Sequence, residues 1–123
     1  MNRILLVEDN EINRELLREM LLALGCEVLE AGNGQEALAR IKETEPDLVL
    51  LDINMPTLSG YAVLKRIRED QRFRCLPVLA VTAYAMKEDR QKVFDAGFNG
   101  YLPKPIDTKS LLGELQRFGI LQP

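Results

Sequence analysis

Apolar residues are distributed along this chain in two alternating patterns. Short unbroken runs stop abruptly at polar residues, and between them lie longer stretches whose apolar positions recur every third or fourth residue. Near-continuous Leu, Val and Ile runs bounded by polar turns predict strands of a parallel sheet buried on both faces. The longer stretches predict amphipathic helices that cover such a sheet. Arg3 to Val7 is the first expected strand, and the helix after it carries Ile12, Leu16, Leu17, Met20, Leu21 and Leu24 on one stripe. Asn10 is placed to cap that helix, and Gly25 to end it in a left-handed conformation. Glu27 to Ala31 is the second strand, and Gly32-Asn33-Gly34 turns the chain. An Asn-Gly pair can signal a hairpin, but Ala37, Leu38 and Ile41 follow at helical spacing. Asn33 with Glu36 resembles a capping box, and Pro46 forbids continuation of the helix.

Leu48 to Leu51 is the third strand, Val63, Leu64 and Ile67 mark a third helix, and Pro77 to Thr82 is the fourth strand. Met86 to Ala96 reads as a helix, but Lys87-Glu88-Asp89-Arg90-Gln91-Lys92 is wholly polar, and Val93 and Phe94 are its large anchors. So little apolar burial implies low local stability, and this should be the most mobile helix. Gly100 to Leu102 is a fifth strand, and Asp107 caps a last helix with Leu111, Leu112, Leu115 and Phe118 on its core face. Alternating strands and helices predict an α/β fold: one five-stranded parallel sheet with right-handed crossovers. Nothing resembles a repeat, a low-complexity tract or a linker, so a single domain over 1–123 without an output domain is expected.

Composition narrows the functional classes. The chain is 46% hydrophobic and 28% charged, as ordinary globular domains are. A net charge of -3 gives no electrostatic case for nucleic acid or an anionic membrane. No apolar stretch reaches the length of a membrane span and no signal-peptide core is present, which predicts a cytoplasmic protein. Cys26 and Cys75 lack CxxC spacing and read as reduced thiols. Histidine is absent altogether, which excludes His-liganded zinc, Ser-His or Cys-His nucleophile pairs and His acid–base chemistry within the chain.

The candidate chemistry lies where the strands end. The first apolar run meets Glu8-Asp9 and the third meets Asp52. In open parallel sheets ligands gather beyond the carboxyl ends of the strands. Three carboxylates converging there would repel one another without a cation, and Mg²⁺ is the hard, oxygen-seeking candidate. The fourth strand closes on Val81-Thr82-Ala83 and the fifth on Leu102-Pro103-Lys104-Pro105, adding a hydroxyl and an ammonium. Phosphoryl transfer to a carboxylate uses such parts: a carboxylate nucleophile, and cations and a hydroxyl to receive the charge of the phosphoryl oxygens. Taken singly, each residue has an ordinary reading, with Asp opening a turn, Glu8-Asp9 favouring a helix N-terminus, Thr82 as a strand residue and Lys104 as a solvated lysine. Jointly those readings require independent accidents at four strand ends on one rim.

Leu6-Val7-Glu8-Asp9-Asn10, Leu51-Asp52-Ile53-Asn54-Met55-Pro56, Val81-Thr82-Ala83 and Leu102-Pro103-Lys104-Pro105 together resemble the receiver domain of two-component response regulators. The resemblance covers essentially the whole chain and implies a doubly wound, flavodoxin-like (βα)5 fold with strand order 2-1-3-4-5. It implies that Asp52 is phosphorylated, that Asp9 ligates Mg²⁺ directly, that Glu8 acts through water, and that Asn54 lends its backbone carbonyl. It implies further that Thr82 and Lys104 bind the phosphoryl group and that Lys104-Pro105 is a cis peptide. Tyr101 matches an aromatic that swings inward when Thr82 moves, although an aromatic on a short edge strand is commonly a packing residue. Tyr84 occupies a position that varies in the family and tunes loss of the phosphoryl group.

Three other functions compete. An aspartyl-phosphate hydrolase would carry a second Asp two residues after its nucleophile, where this chain has Asn54, and a cap insertion for substrate. A flavin or dinucleotide module needs a phosphate-cradling loop after its first strand, whereas Glu8-Asp9-Asn10-Glu11 is acidic and glycine-free. A degenerate receiver would lack the intact acidic set. With no histidine of its own, the chain needs a histidine kinase or histidine phosphotransfer protein as donor. A separate protein would then read the face from Met86 to Phe118, with the chain acting as a monomer or a phosphorylation-dependent dimer. A phosphate carrier excised from a hybrid kinase is the alternative within the family.

Overall fold

Strands and helices alternate along the chain as the hydrophobic pattern predicts. The computed structural model describes residues 2–83 and 87–121. The order is β1 (Arg3–Val7), α1 (Glu11–Ala23), β2 (Glu27–Ala31), α2 (Gly34–Thr44), β3 (Leu48–Asp52), α3 (Gly60–Glu69), β4 (Val78–Thr82), α4 (Lys87–Ala96), β5 (Gly100–Pro103) and α5 (Thr108–Arg117). All strand pairs are parallel, in the order β2-β1-β3-β4-β5. Period-two alternation divides the strand residues between two apolar layers. Leu5, Val7, Val49, Leu51, Val78 and Ala80 pack with α2, α3 and α4, while Ile4, Leu6, Leu48, Leu50, Leu79 and Val81 pack with α1 and α5. Among the described residues, no helix is long and apolar enough to cross a membrane. Cys26 is buried, Cys75 is exposed, and both are free thiols.

The helix starts follow their capping residues. The side chains of Asn10, Asn33, Ser59 and Asp107 accept from the N–H groups of Asn13, Glu36, Ala62 and Ser110. At α2 the reciprocal half of the box is shifted by one residue, since Glu36 Oε2 accepts from Gly32 N, at 3.3 Å. Gly25 takes φ +89° after α1, the left-handed ending its position predicts.

Two expectations about burial need correction. Ile12 and Leu16 are 76% and 61% exposed, so the α1 stripe is not all core. Leu17 and Leu21 face the sheet, and at 3.6 residues per turn Leu16 lies about 100° round the helix from Leu17. On α4, Val93 is buried but Phe94 is 41% exposed; Phe98, just past the helix, takes the buried place and meets Tyr61 edge to face. Met86 and Tyr84 lie outside the described residues. A short 3-10 turn, Gln71–Phe73, escaped the sequence reading because a single turn has no period to detect; Asp70 caps it and Phe73 is buried.

At the rim where the strands begin, Arg68 of α3 fastens three segments. Its Nη1 donates to the carbonyls of Phe73 and Leu76 at 2.9 and 2.7 Å, and its Nη2 to Asn99 Oδ1 at 2.7 Å. The same Asn99 oxygen accepts from Val78 N, at the start of β4.

Candidate functional site

Because the strands are parallel, their carboxyl ends share one rim, and register sets which residues meet there. Val7 pairs with Ala31 and Leu51, Asp52 with Val81, and Thr82 with Pro103. The ladder continues one residue beyond β1, with Glu8 N donating to Ala31 O at 3.1 Å. Glu8, Asp52 and Thr82 are the buried polar residues of the described chain, at 1%, 2% and 2% exposure, whereas Asp9 is exposed. One oxygen from each of Glu8, Asp9 and Asp52 lies within 4.8 Å of the others.

Lys104 reaches this cluster from the β5–α5 connection. Its Nζ lies 3.0 Å from Glu8 Oε1 and 3.3 Å from Asp52 Oδ2, while its N–H donates to Thr82 O at 2.8 Å. The Lys104-Pro105 peptide is cis. Asn54 meets the site through its N–H, which donates to Asp52 Oδ1 at 3.0 Å, and through its side-chain amide, 3.4 Å from Thr82 Oγ1. Sequence reading assigned Asn54 a carbonyl role and missed this amide contact. Tyr101 stands two residues before the Thr82 partner on β5, half-buried against the apolar layer, with the Arg90 guanidinium 5.7 Å from its ring centroid.

Burial works against every charge here, and partners decide the outcome. Glu8 is pushed up to about 7, chiefly by burial, with the Asp52 carboxyl adding and Lys104 opposing. For Asp52 burial also pulls upward, but the Glu8 carboxyl, the Asn54 N–H and Lys104 outweigh it and hold Asp52 below its ordinary range. Lys104 is raised because its two carboxylates overcome burial. The site therefore combines an ionised Asp52 with a Glu8 poised to take up either a proton or a cation.

Glu8 Oε2 is buried without a hydrogen-bond partner among the described residues. Such an oxygen costs free energy unless something occupies its lone pairs. An all-oxygen set with one buried orphan and one exposed member suits a hard divalent cation. The residues present fit Mg²⁺.

Two further residues support this rim without having drawn attention in the sequence. A Cβ at Gly60 would lie 2.7 Å from both Asp52 O and Ile53 Cα, so α3 starts against the end of β3 in contact that only glycine permits. Arg14 of α1 donates from Nη1 to the Glu8 carbonyl at 2.9 Å.

Residues 4–116 match the family model of the response regulator receiver domain. The chain belongs to that family. Over 115 residues this receiver is 39% identical to the polar-differentiation response regulator DivK of Brucella anthropi, with 94% of each chain covered. Among solved structures it superposes on the chemotaxis protein CheY4 of Vibrio cholerae with a TM-score of 0.89 at 32% identity, covering 96% of this chain and 98% of that one. The receiver domain of the sensor histidine kinase PA1611 of Pseudomonas aeruginosa, described with a magnesium ion coordinated in its active-site cleft, superposes with a TM-score of 0.88 at 37% identity. That match covers 95% of this chain and 96% of the other. The receiver is thus a signalling domain of a two-component system, and the acidic cluster stands at the switch point its strand order creates.

Proposed function

We propose that Asp52 accepts a phosphoryl group from a phosphohistidine on a partner protein and that this changes which proteins the receiver binds. The observation that carries the reading is a buried aspartate at the end of β3 with the Lys104 ammonium 3.3 Å away, a pairing that favours the carboxylate, the nucleophilic form. An Asp52 oxygen attacks phosphorus, the bond to the donor imidazole nitrogen breaks, and that nitrogen leaves with the bonding electron pair. Lys104 is in place to pair with a phosphoryl oxygen, and the Thr82 hydroxyl to donate to another. Glu8, Asp9, Asp52 and the Asn54 carbonyl would hold Mg²⁺, and the Pseudomonas receiver is described with magnesium in its active-site cleft. Bound there, the ion neutralises charge on the transferred group.

The donor must come from another protein, since this chain has no histidine. Exposed Leu16 lines an apolar groove with Leu17, Met20, Pro105 and Ile106, walled by Lys104 of the site itself. A donor seated there brings its phosphohistidine toward Asp52. On the other side, α4, β5 and α5 form the face a downstream protein would read, with Thr82 and Tyr101 as its link to the site. Incubation with acetyl phosphate and Mg²⁺ should label the wild type, and mass spectrometry should place the label on Asp52. Asp52→Asn should fold and take none. Absence of label on the wild type would leave only the degenerate receiver, acting as a docking scaffold without phosphoryl chemistry.

A further inference from the structure

Arg14 lies on the side of α1 that faces β2, where an arginine reads as an ordinary surface ion pair. Its seat is more elaborate than that. Nε pairs with Glu30 Oε1 at 3.3 Å, and both Glu30 oxygens are held by Arg18 Nη1, each at 3.3 Å. The Glu30 backbone carbonyl accepts from Arg40 Nε at 3.2 Å, so the anchor of Arg14 is itself anchored. Gly32, in the turn after β2, leaves room for the guanidinium: a Cβ there would stand 3.3 Å from Arg14 Nη1. From this seat Nη1 donates to the Glu8 carbonyl.

That carbonyl belongs to the planar peptide unit joining Glu8 to Asp9. The unit before it is fixed too, since Glu8 N donates to Ala31 O. With both peptide units held, the direction in which the Glu8 side chain leaves the backbone is set, and so is the N–Cα bond about which Asp9 can turn. We propose that Arg14 is a positioning residue for the divalent-cation site, holding the Glu8–Asp9 peptide so that both carboxylates face Asp52. The inference rests on the reading of this cluster as an Mg²⁺ site. Arg14 acts through the backbone, and the side chains that Glu8 answers to electrostatically are Asp52 and Lys104. Hydrogen bonds of this kind, one step behind the ligands, commonly tune metal sites.

The test is Mg²⁺ titration of the whole chain by calorimetry, without any phosphodonor, alongside thermal melts in EDTA. Arg14→Met should bind Mg²⁺ about tenfold more weakly than wild type. Arg14→Lys should recover part of the loss, because an ammonium can donate to the carbonyl but lacks the fork that pairs with Glu30 at the same time. Glu30→Gln leaves Arg14 intact with a weaker anchor and should fall between wild type and Arg14→Met. Arg68→Met removes a backbone anchor at the opposite rim of the sheet and should lower the melting temperature while leaving Mg²⁺ affinity unchanged. Should Arg14→Met fail to fold, Arg14→Lys and Glu30→Gln decide the matter. Wild-type affinity in the Arg14 and Glu30 variants, with melting temperatures reduced as in Arg68→Met, would overturn the inference. No Mg²⁺ binding by the wild type would instead overturn the reading of the site, and the inference with it.

Discussion

Glu8 and Asp52 are buried side by side yet titrate in opposite directions, and pH separates their effects. Glu8 is raised from 4.5 to about 7 in the folded, metal-free protein. A group whose folded pKa exceeds its unfolded value contributes stability that is complete below the unfolded pKa and lost as pH rises through the folded one. Asp52, lowered from 3.8, contributes above that value and loses its contribution as pH falls. In EDTA the melting temperature should therefore decline as pH climbs from about 5 to about 8, and Glu8→Gln should flatten the decline. Mg²⁺ affinity should move the other way, rising with pH, because the ion needs the ionised carboxylate. A wild-type profile in EDTA as flat as that of Glu8→Gln would refute the raised pKa. At this scale Glu8, Asp9, Asp52, Thr82 and Lys104 were legible because each stands at the end of an apolar run. Arg14 and Gly60 were not. An arginine within a helix and a glycine after a capping serine look ordinary until the backbones they touch are brought beside them.

Among the elements, α3 carries the tightest constraint on the site. A methyl group at Gly60 would meet the Asp52 carbonyl and Ile53 Cα, neither of which can swing aside as a side chain tip can. Gly60→Ala should cost about 1–3 kcal/mol, the usual range for overpacking, and should slow acetyl phosphate labelling by shifting Asp52. Gly113 of α5 supplies the contrast, with nothing within 4 Å of its missing Cβ. Gly113→Ala should stabilise by up to about 1 kcal/mol through helix propensity alone. Denaturant melts of the two variants check both signs, and equal destabilisation would contradict the packing argument. Element boundaries followed the sequence closely, because capping residues announce them. Burial on α1 and α4 was harder to read. Periodicity shows that Ile12, Leu16 and Phe94 lie near an apolar stripe, but the width of the surface beneath decides which are covered, and Phe98 competes for the place Phe94 was expected to fill.

For the whole molecule, the question is whether events at Asp52 reach the face formed by α4, β5 and α5. Among the α4 residues whose burial is described, Val93 is the buried one, while Glu88 and Arg90 are exposed, so this helix is held by little apolar contact. Helices so held are the ones that shift between states. Under the proposed function, Thr82→Ala should still accept phosphate but transmit it poorly, since it lacks the hydroxyl proposed to link the site to that face. Amide hydrogen exchange with and without beryllofluoride checks this. In the wild type, protection should change from Lys87 to Phe118 as well as at the site, and the response beyond the site should shrink in Thr82→Ala. Changes confined to Glu8, Asp9 and Asp52 in the wild type would make the protein a phosphate carrier.

The Arg68 fastening at the far rim has a consequence for how the molecule tolerates change. It ties α3 to the starts of β4 and β5 and shares no contact with the acidic cluster. Arg68→Met takes a donor from the part-buried carbonyls of Phe73 and Leu76 and from Asn99 Oδ1, and should cost about 1–3 kcal/mol with Mg²⁺ affinity unchanged. Damage at one end of the sheet is thus paid in abundance, and damage at the other in signalling. A mutant library scored separately for protein level and for phosphorylation should split along the strand axis. Suppressors of an Arg68 lesion should then include any stabilising change anywhere in the fold, whereas a lost Asp52 should have none.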